Sequence, residues 1–198
     1  NPVAVQHMTE VSGGWGRIVW MPTYDAENHV RTGNENRPFV SVSRNGELLP
    51  EVRQVIGLIA RNGLVLATGH SSPPEGLMLV REGRRQGVQH MVVTHATFTP
   101  VFMNVDQMKE AAREGAFLEF AGGSVGGAGG AARMDSFADA IRRVGPEFCI
   151  LSTDLGQRGN PPPPDGFGAL LLAMRARGFT EVEVDRMAKQ NPAKLLGL

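Results

Sequence analysis

Cysteine is nearly missing from this sequence: its 198 residues include one, Cys149, inside the apolar run FCILSTD. No internal disulfide can form, no thiolate metal cluster can be built, and a reducing cytoplasm is the setting this implies. Net charge is missing too. Twenty basic residues balance twenty acidic ones, so no global field draws the chain to nucleic acid or to an anionic membrane. No apolar run approaches the roughly 18 to 20 residues needed to span a bilayer, and no basic-then-apolar signal segment opens the chain. The first residues, NPVAVQHM, lack an initiating Met, which suggests a processed or truncated product. No G-x-x-x-x-G-K-[ST] occurs, which excludes a P-loop.

What is present is ordinary globular composition, 41% hydrophobic and 20% charged, over a length suited to one domain spanning residues 1–198. Five short, continuously apolar segments bounded by turn residues read as buried parallel strands: RIVWMP (17–22), LVLATG (64–69), MVVTHA (91–96), AFLEFA (116–121) and CILSTD (149–154). Between them ELLPEVRQVIGLIARNG, PEGLMLVREGRRQG, NVDQMKEAAREG and SFADAIRRVG have apolar residues at helical spacing, and each ends in Gly. Regular alternation of strand and helix predicts an α/β protein with a parallel sheet and right-handed crossovers. Towards the end, Asp165 or Gly166 opens FGALLLAMRARG, Thr180 and Glu183 form a capping box, and Asn191-Pro192 caps a last turn, AKLLGL.

In such folds functional groups gather at the carboxyl ends of the strands. Those ends here carry Thr23, Asp25 and His29 after the first strand, then His70, His95, Glu119 and Asp154 on the four that follow. Imidazole and carboxylate are the donors a Zn²⁺, Mn²⁺ or Fe²⁺ hydrolase site uses. His70 and His95 are 25 residues apart, about one strand-helix unit, which puts them on adjacent strands. Asp154 lies two units further on, and its convergence with them requires the curvature of a barrel.

The strand-end pieces TGH, VVTHA and LSTD, finishing in NPAKLLGL, resemble the C-terminal part of the amidohydrolase superfamily, metal-dependent hydrolases on a (β/α)₈ TIM-type barrel. The opening NPVAV…RIVWMPTYDAENH is similar to a branch related to phosphotriesterase-like and dihydroorotase-like members. The resemblance implies that His70 and His95 are metal ligands of the fifth and sixth strands. It implies that Asp154 is the eighth-strand aspartate that binds metal and takes a proton from the attacking water. The implied cofactor is a divalent metal ion, zinc first, with manganese or iron as alternatives. Asp25, His29 and Glu119 are expected around this site, orienting substrate or fixing an imidazole.

The sequence departs from the family pattern in having no His-x-His pair and no lysine after RIVWMPT. The chain therefore reads as the last five β/α units and C-terminal helices of the barrel, with about three units, on the order of 100 residues, expected upstream. The expected reaction is hydrolysis of a C–N or C–O bond in an amide, lactone or ester. The alternatives are a metal phosphoesterase on a similar barrel and a metal-free barrel that binds a ligand or serves as a structural subunit. Expected partners are a small-molecule substrate and either a second copy of the chain or the upstream segment, with no nucleic acid and no membrane.

Two biased segments have blander readings. GAGGAA fits G-x-G-x-x-A with Gly127, Gly129 and Ala132, but GGSV intervenes after the strand, leaving the turn too long to place a pyrophosphate on the helix N-terminus. A lid or an anion-passing loop fits it better. NPPPPDG, after Asp154, reads as a rigid rim loop. His7 and His90, in helix and turn contexts, read as solvated surface, DAENHVRTGNENR around His29 also reads as a polar loop, and Cys149 as a small core residue.

Overall fold

A computed structural model describes residues 1–198. In chain order the elements are α1 (Pro2–Glu10), β1 (Ile18–Trp20), α2 (Glu27–Thr32), β2 (Ser43–Arg44), β3 (Glu47–Leu48), α3 (Pro50–Arg61), β4 (Val65–Ala67), α4 (Pro73–Gln86), β5 (His90–Val93) and α5 (Val105–Arg113). There follow β6 (Ala116–Ala121), α6 (Gly130–Val144), a 3₁₀ turn at Pro146–Phe148, β7 (Cys149–Ser152), α7 (Pro163–Ala176), α8 (Glu181–Asp185), a π-helical turn at Arg186–Gln190 and α9 (Asn191–Leu196).

β1, β4, β5, β6 and β7 form one parallel sheet in that order, and β2 and β3 a small antiparallel hairpin. Each sheet strand is the neighbour of the next in sequence, with a helix between, so the sheet is wound in one direction as in a (β/α)₈ barrel. Five strands leave it open, with β1 and β7 as its edges.

Alternation along the strands places every second residue on each face of the sheet. Leu66, Met91, Val93, Leu118, Phe120 and Leu151 join α3 to α6 in the main core, where Ile56, Ile59, Leu79, Phe137 and Ile141 are buried. Phe120 meets Phe137 edge-on at 5.3 Å. On the other face Val65, Ala67, Val92 and Ile150 form a thin apolar layer closed by Leu195 of α9.

Four details differ from the sequence reading. Asn191 is no N-cap: its backbone is helical and continues from the π turn. Its buried side chain instead donates through Nδ2 to the carbonyl oxygens of Pro146 (2.9 Å) and Cys149 (2.6 Å), tying α9 to the start of β7. α7 starts at Pro163 rather than at Asp165 or Gly166, since the prolines occupy first-turn positions where no N–H is required. The stretch between β1 and α3 is not one polar loop but contains α2 and the β2–β3 hairpin. His90 opens β5 rather than lying in a turn. No helix is long and apolar enough to cross a membrane.

Candidate functional site

The site is built on the carboxyl ends of β1, β4, β5, β6 and β7. After β4 the chain turns at Gly69, whose φ of +61° and close approach to β1 are both open only to glycine: an added Cβ would lie 2.3 Å from the Met21 carbonyl oxygen and 2.4 Å from that of Pro22. The Gly69 N–H donates to Thr94 Oγ1 (3.2 Å) and the Thr94 N–H to Thr68 Oγ1 (3.1 Å). The His70 N–H donates to the Pro22 carbonyl (2.9 Å). These bonds sew three strand ends together and leave His70 standing between the first and third.

His95 and Asp154, at the ends of β5 and β7, both have left-handed backbones, with φ of +50° and +51°. Such conformations cost non-glycine residues about 1–2 kcal/mol and concentrate at functional sites. His95 is 9% exposed, and its Nε2 faces Asp154 Oδ2 at 3.8 Å. Its Nδ1 is buried and has no hydrogen-bond partner, since Glu119 Oε2 at 4.0 Å is beyond hydrogen-bond range. Glu119 accepts from the His95 N–H (3.2 Å) and the Ser152 hydroxyl (2.8 Å), which locks the β5 and β7 ends to the middle of the rim.

The His70 ring lies between two other imidazoles. Its centroid is 5.2 Å from that of His95 and 4.9 Å from that of His29, and the His29 and His70 rings are nearly parallel, with Nδ1 atoms 2.8 Å apart. Burial, with the neighbouring His95 and His29, lowers the His70 pKa to about 4, so the ring is neutral at physiological pH, the form in which imidazole binds a metal.

Of the sequence-derived candidates, the structure brings His29, His70, His95 and Asp154 into one row, with Glu119 behind His95. Asp25 stands apart: its carboxylate pairs with Arg37 at 2.7 Å. Sequence reading missed Glu35, whose Oε1 is 3.8 Å from His29 Nε2, and the place of Arg37, which bonds Glu35 and stacks on Tyr24 and was available to it only as a rim cation for a phosphoesterase. It also missed Asn28, whose Nδ2 donates to the carbonyls of His70 (3.0 Å) and Pro100 (2.9 Å). Nothing in DAENHVRTGNENR separates these residues from solvated loop polarity. A short helix was needed to aim them.

A small cavity of about 280 Å³ opens beside Asp154, lined by Phe98, Gly123, Ser124 and Arg133. The largest, about 770 Å³, lies elsewhere, along the open edge of β1 between α1 and α3. No three His, Cys, Asp or Glu side chains already converge as a metal-binding set. The donor chemistry nevertheless fits a divalent cation. It comprises a facing imidazole pair, a third imidazole with an unpartnered buried nitrogen, and a carboxylate beside it.

Solved structures share this fold. An amidohydrolase from Pseudomonas aeruginosa superposes with a TM-score of 0.69 at 16% identity, covering 99% of this chain and 67% of its own. A mutant organophosphorus hydrolase from Deinococcus radiodurans gives 0.62 at 19% identity, covering 96% and 60%. A 2,6-dihydroxybenzoate decarboxylase from Rhizobium gives 0.59 at 13%, covering 99% and 66%. The chain thus spans about three fifths to two thirds of the length of the proteins it matches. The fold is that of amidohydrolase-type barrels, represented by five of its β/α units. Within it the chain belongs to DUF6282, a family of unknown function whose profile matches residues 1–119. No curated protein matches it in sequence.

Proposed function

We propose that the protein is a metal-dependent hydrolase that cleaves a C–N or C–O bond of a small amide, lactone or ester. The observation that carries this reading is the row of His70, His95 and Asp154 on one rim, with His95 and Asp154 both in left-handed backbone conformations. His70, His95 and Asp154 would hold a divalent cation, zinc in the first instance. Such an ion, when bound, lowers the pKa of its water toward about 7 and polarises the scissile group. Asp154, whose side chain is more than half exposed, would accept the proton of the attacking water. Glu119 fixes the β5 and β7 ends, and the cavity beside Asp154 seats the substrate.

The test is hydrolysis of a panel of lactones, esters, amides and a phosphotriester, with and without chelator. Chelator-sensitive turnover of a lactone, ester or amide supports the reading, and turnover of the phosphotriester alone favours a phosphoesterase. A second reading, a metal-free ligand-binding barrel, draws on the absence of three converging ligands, and chelator-insensitive ligand binding without turnover would support it.

A further inference from the structure

The helix α2 is pinned to the end of β4 by Asn28, which bonds the carbonyl of His70 itself, and its Val30 is buried. The next residue after Asn28 is thereby delivered to the site, and the His29 ring lies at 12° to that of His70 with Nδ1 facing Nδ1 at 2.8 Å. A neutral imidazole carries one N–H. The Nε2 side of His29 faces the Glu35 carboxylate, which Arg37 holds in place, so the His29 proton is drawn to that side. With that proton on Nε2, His29 presents its Nδ1 lone pair to His70 Nδ1 at 2.8 Å. A cation held between the two rings would bind both Nδ1 lone pairs at once. Two nitrogens bound to one ion at roughly 2.0 to 2.1 Å stand about 2.9 Å apart at the right angle of an octahedral ion and about 3.3 Å apart at the tetrahedral angle of zinc, so the 2.8 Å separation widens by about 0.5 Å to seat zinc.

We infer that His29 ligates, through Nδ1, the same divalent cation as His70, with Glu35 as a positioning residue that fixes the tautomer. This rests on the metal reading above. It gives α2, a helix the barrel does not require, the task of supplying an imidazole in a chain that contains no His-x-His pair.

The test loads metal-stripped protein, labelled with ¹⁵N-histidine, with ¹¹³Cd²⁺, and titrates Co²⁺ into wild type, His29→Ala, His70→Ala and Glu35→Gln. The expected results are one-bond Cd–N coupling at Nδ1 of both His29 and His70, and at least tenfold weaker Co²⁺ binding in both histidine variants. Glu35→Gln is expected to weaken binding by about tenfold or more. The Cd–N coupling is read on wild type and so stands even where a variant fails to fold. Coupling at His70 but not His29, with His29→Ala binding Co²⁺ as wild type does, overturns this inference and leaves the hydrolase reading in place. No binding of either ion by wild type, with one proton shared between the two rings, overturns both.

Discussion

The backbone around His70 leaves no room for a side chain at the preceding position, since a Cβ on Gly69 would press on two carbonyl oxygens of β1's extension and φ is positive. Gly69→Ala is therefore expected to lose about 2–4 kcal/mol of stability, as strain and backbone displacement add. Urea denaturation measures this, and a loss under about 0.5 kcal/mol would show that β1 gives way easily. Asp154 makes a complementary case. Its left-handed backbone suits asparagine as well as aspartate, so Asp154→Asn is expected to keep the wild-type melting temperature within a degree or two while, on the proposed function, lowering turnover by about 10²–10⁴-fold through loss of the proposed proton acceptor. Melting curves and kinetics on one preparation check both halves.

Asn191 shows how one side chain can anchor an element. Removing its amide strands two carbonyls at the entrance to β7, so Asn191→Ala is expected to cost about 1–3 kcal/mol. Hydrogen exchange should show faster opening of α9 and β7 and leave β4 and β5 little changed. The order of elements was legible in the sequence. Each of the five sheet strands overlaps the segment expected for it, with β5 starting one residue early at His90, because buried parallel strands are continuously apolar. α3 and α5 lie inside their expected segments, where periodicity is clear, as in Val52, Val55, Ile56 and Ile59, whereas α4 starts one residue early at Pro73 and α6 six residues early at Gly130, inside the glycine-rich stretch. α2 and the β2–β3 hairpin were not legible: both are short and polar, and their stability comes from contacts such as Ser41 with Glu27 and Ser43 with Glu75. Of the site, the strand-end residues His70, His95, Glu119 and Asp154 could be placed from spacing alone. Glu35, Arg37 and Asn28 could not, because their roles depend on a turn at the end of α2 that brings Glu35 back over His29.

The five-stranded sheet has two unpaired edges, and the largest cavity follows one of them, along β1, where Trp20 is half exposed. The other edge, β7, is covered at its start by the 3₁₀ turn and α9, which leaves the Cys149 thiol fully buried. Burial, and secondarily the Glu147 carboxylate, push its pKa well above the ordinary range. As the chain's single thiol, Cys149 is expected to stay unreactive to a disulfide reagent in the folded protein and to react on unfolding. Labelling followed across a denaturant series should track the main unfolding transition, and rapid labelling without denaturant would show that the β7 edge opens alone. The reading of the whole molecule stands or falls on whether its row of imidazoles holds a metal ion. Metal analysis by mass spectrometry of protein produced in zinc-supplemented medium is expected to find about one divalent ion per chain, lost in a folded His70→Ala variant. Folded wild-type protein without metal, or metal undiminished in His70→Ala, would contradict it.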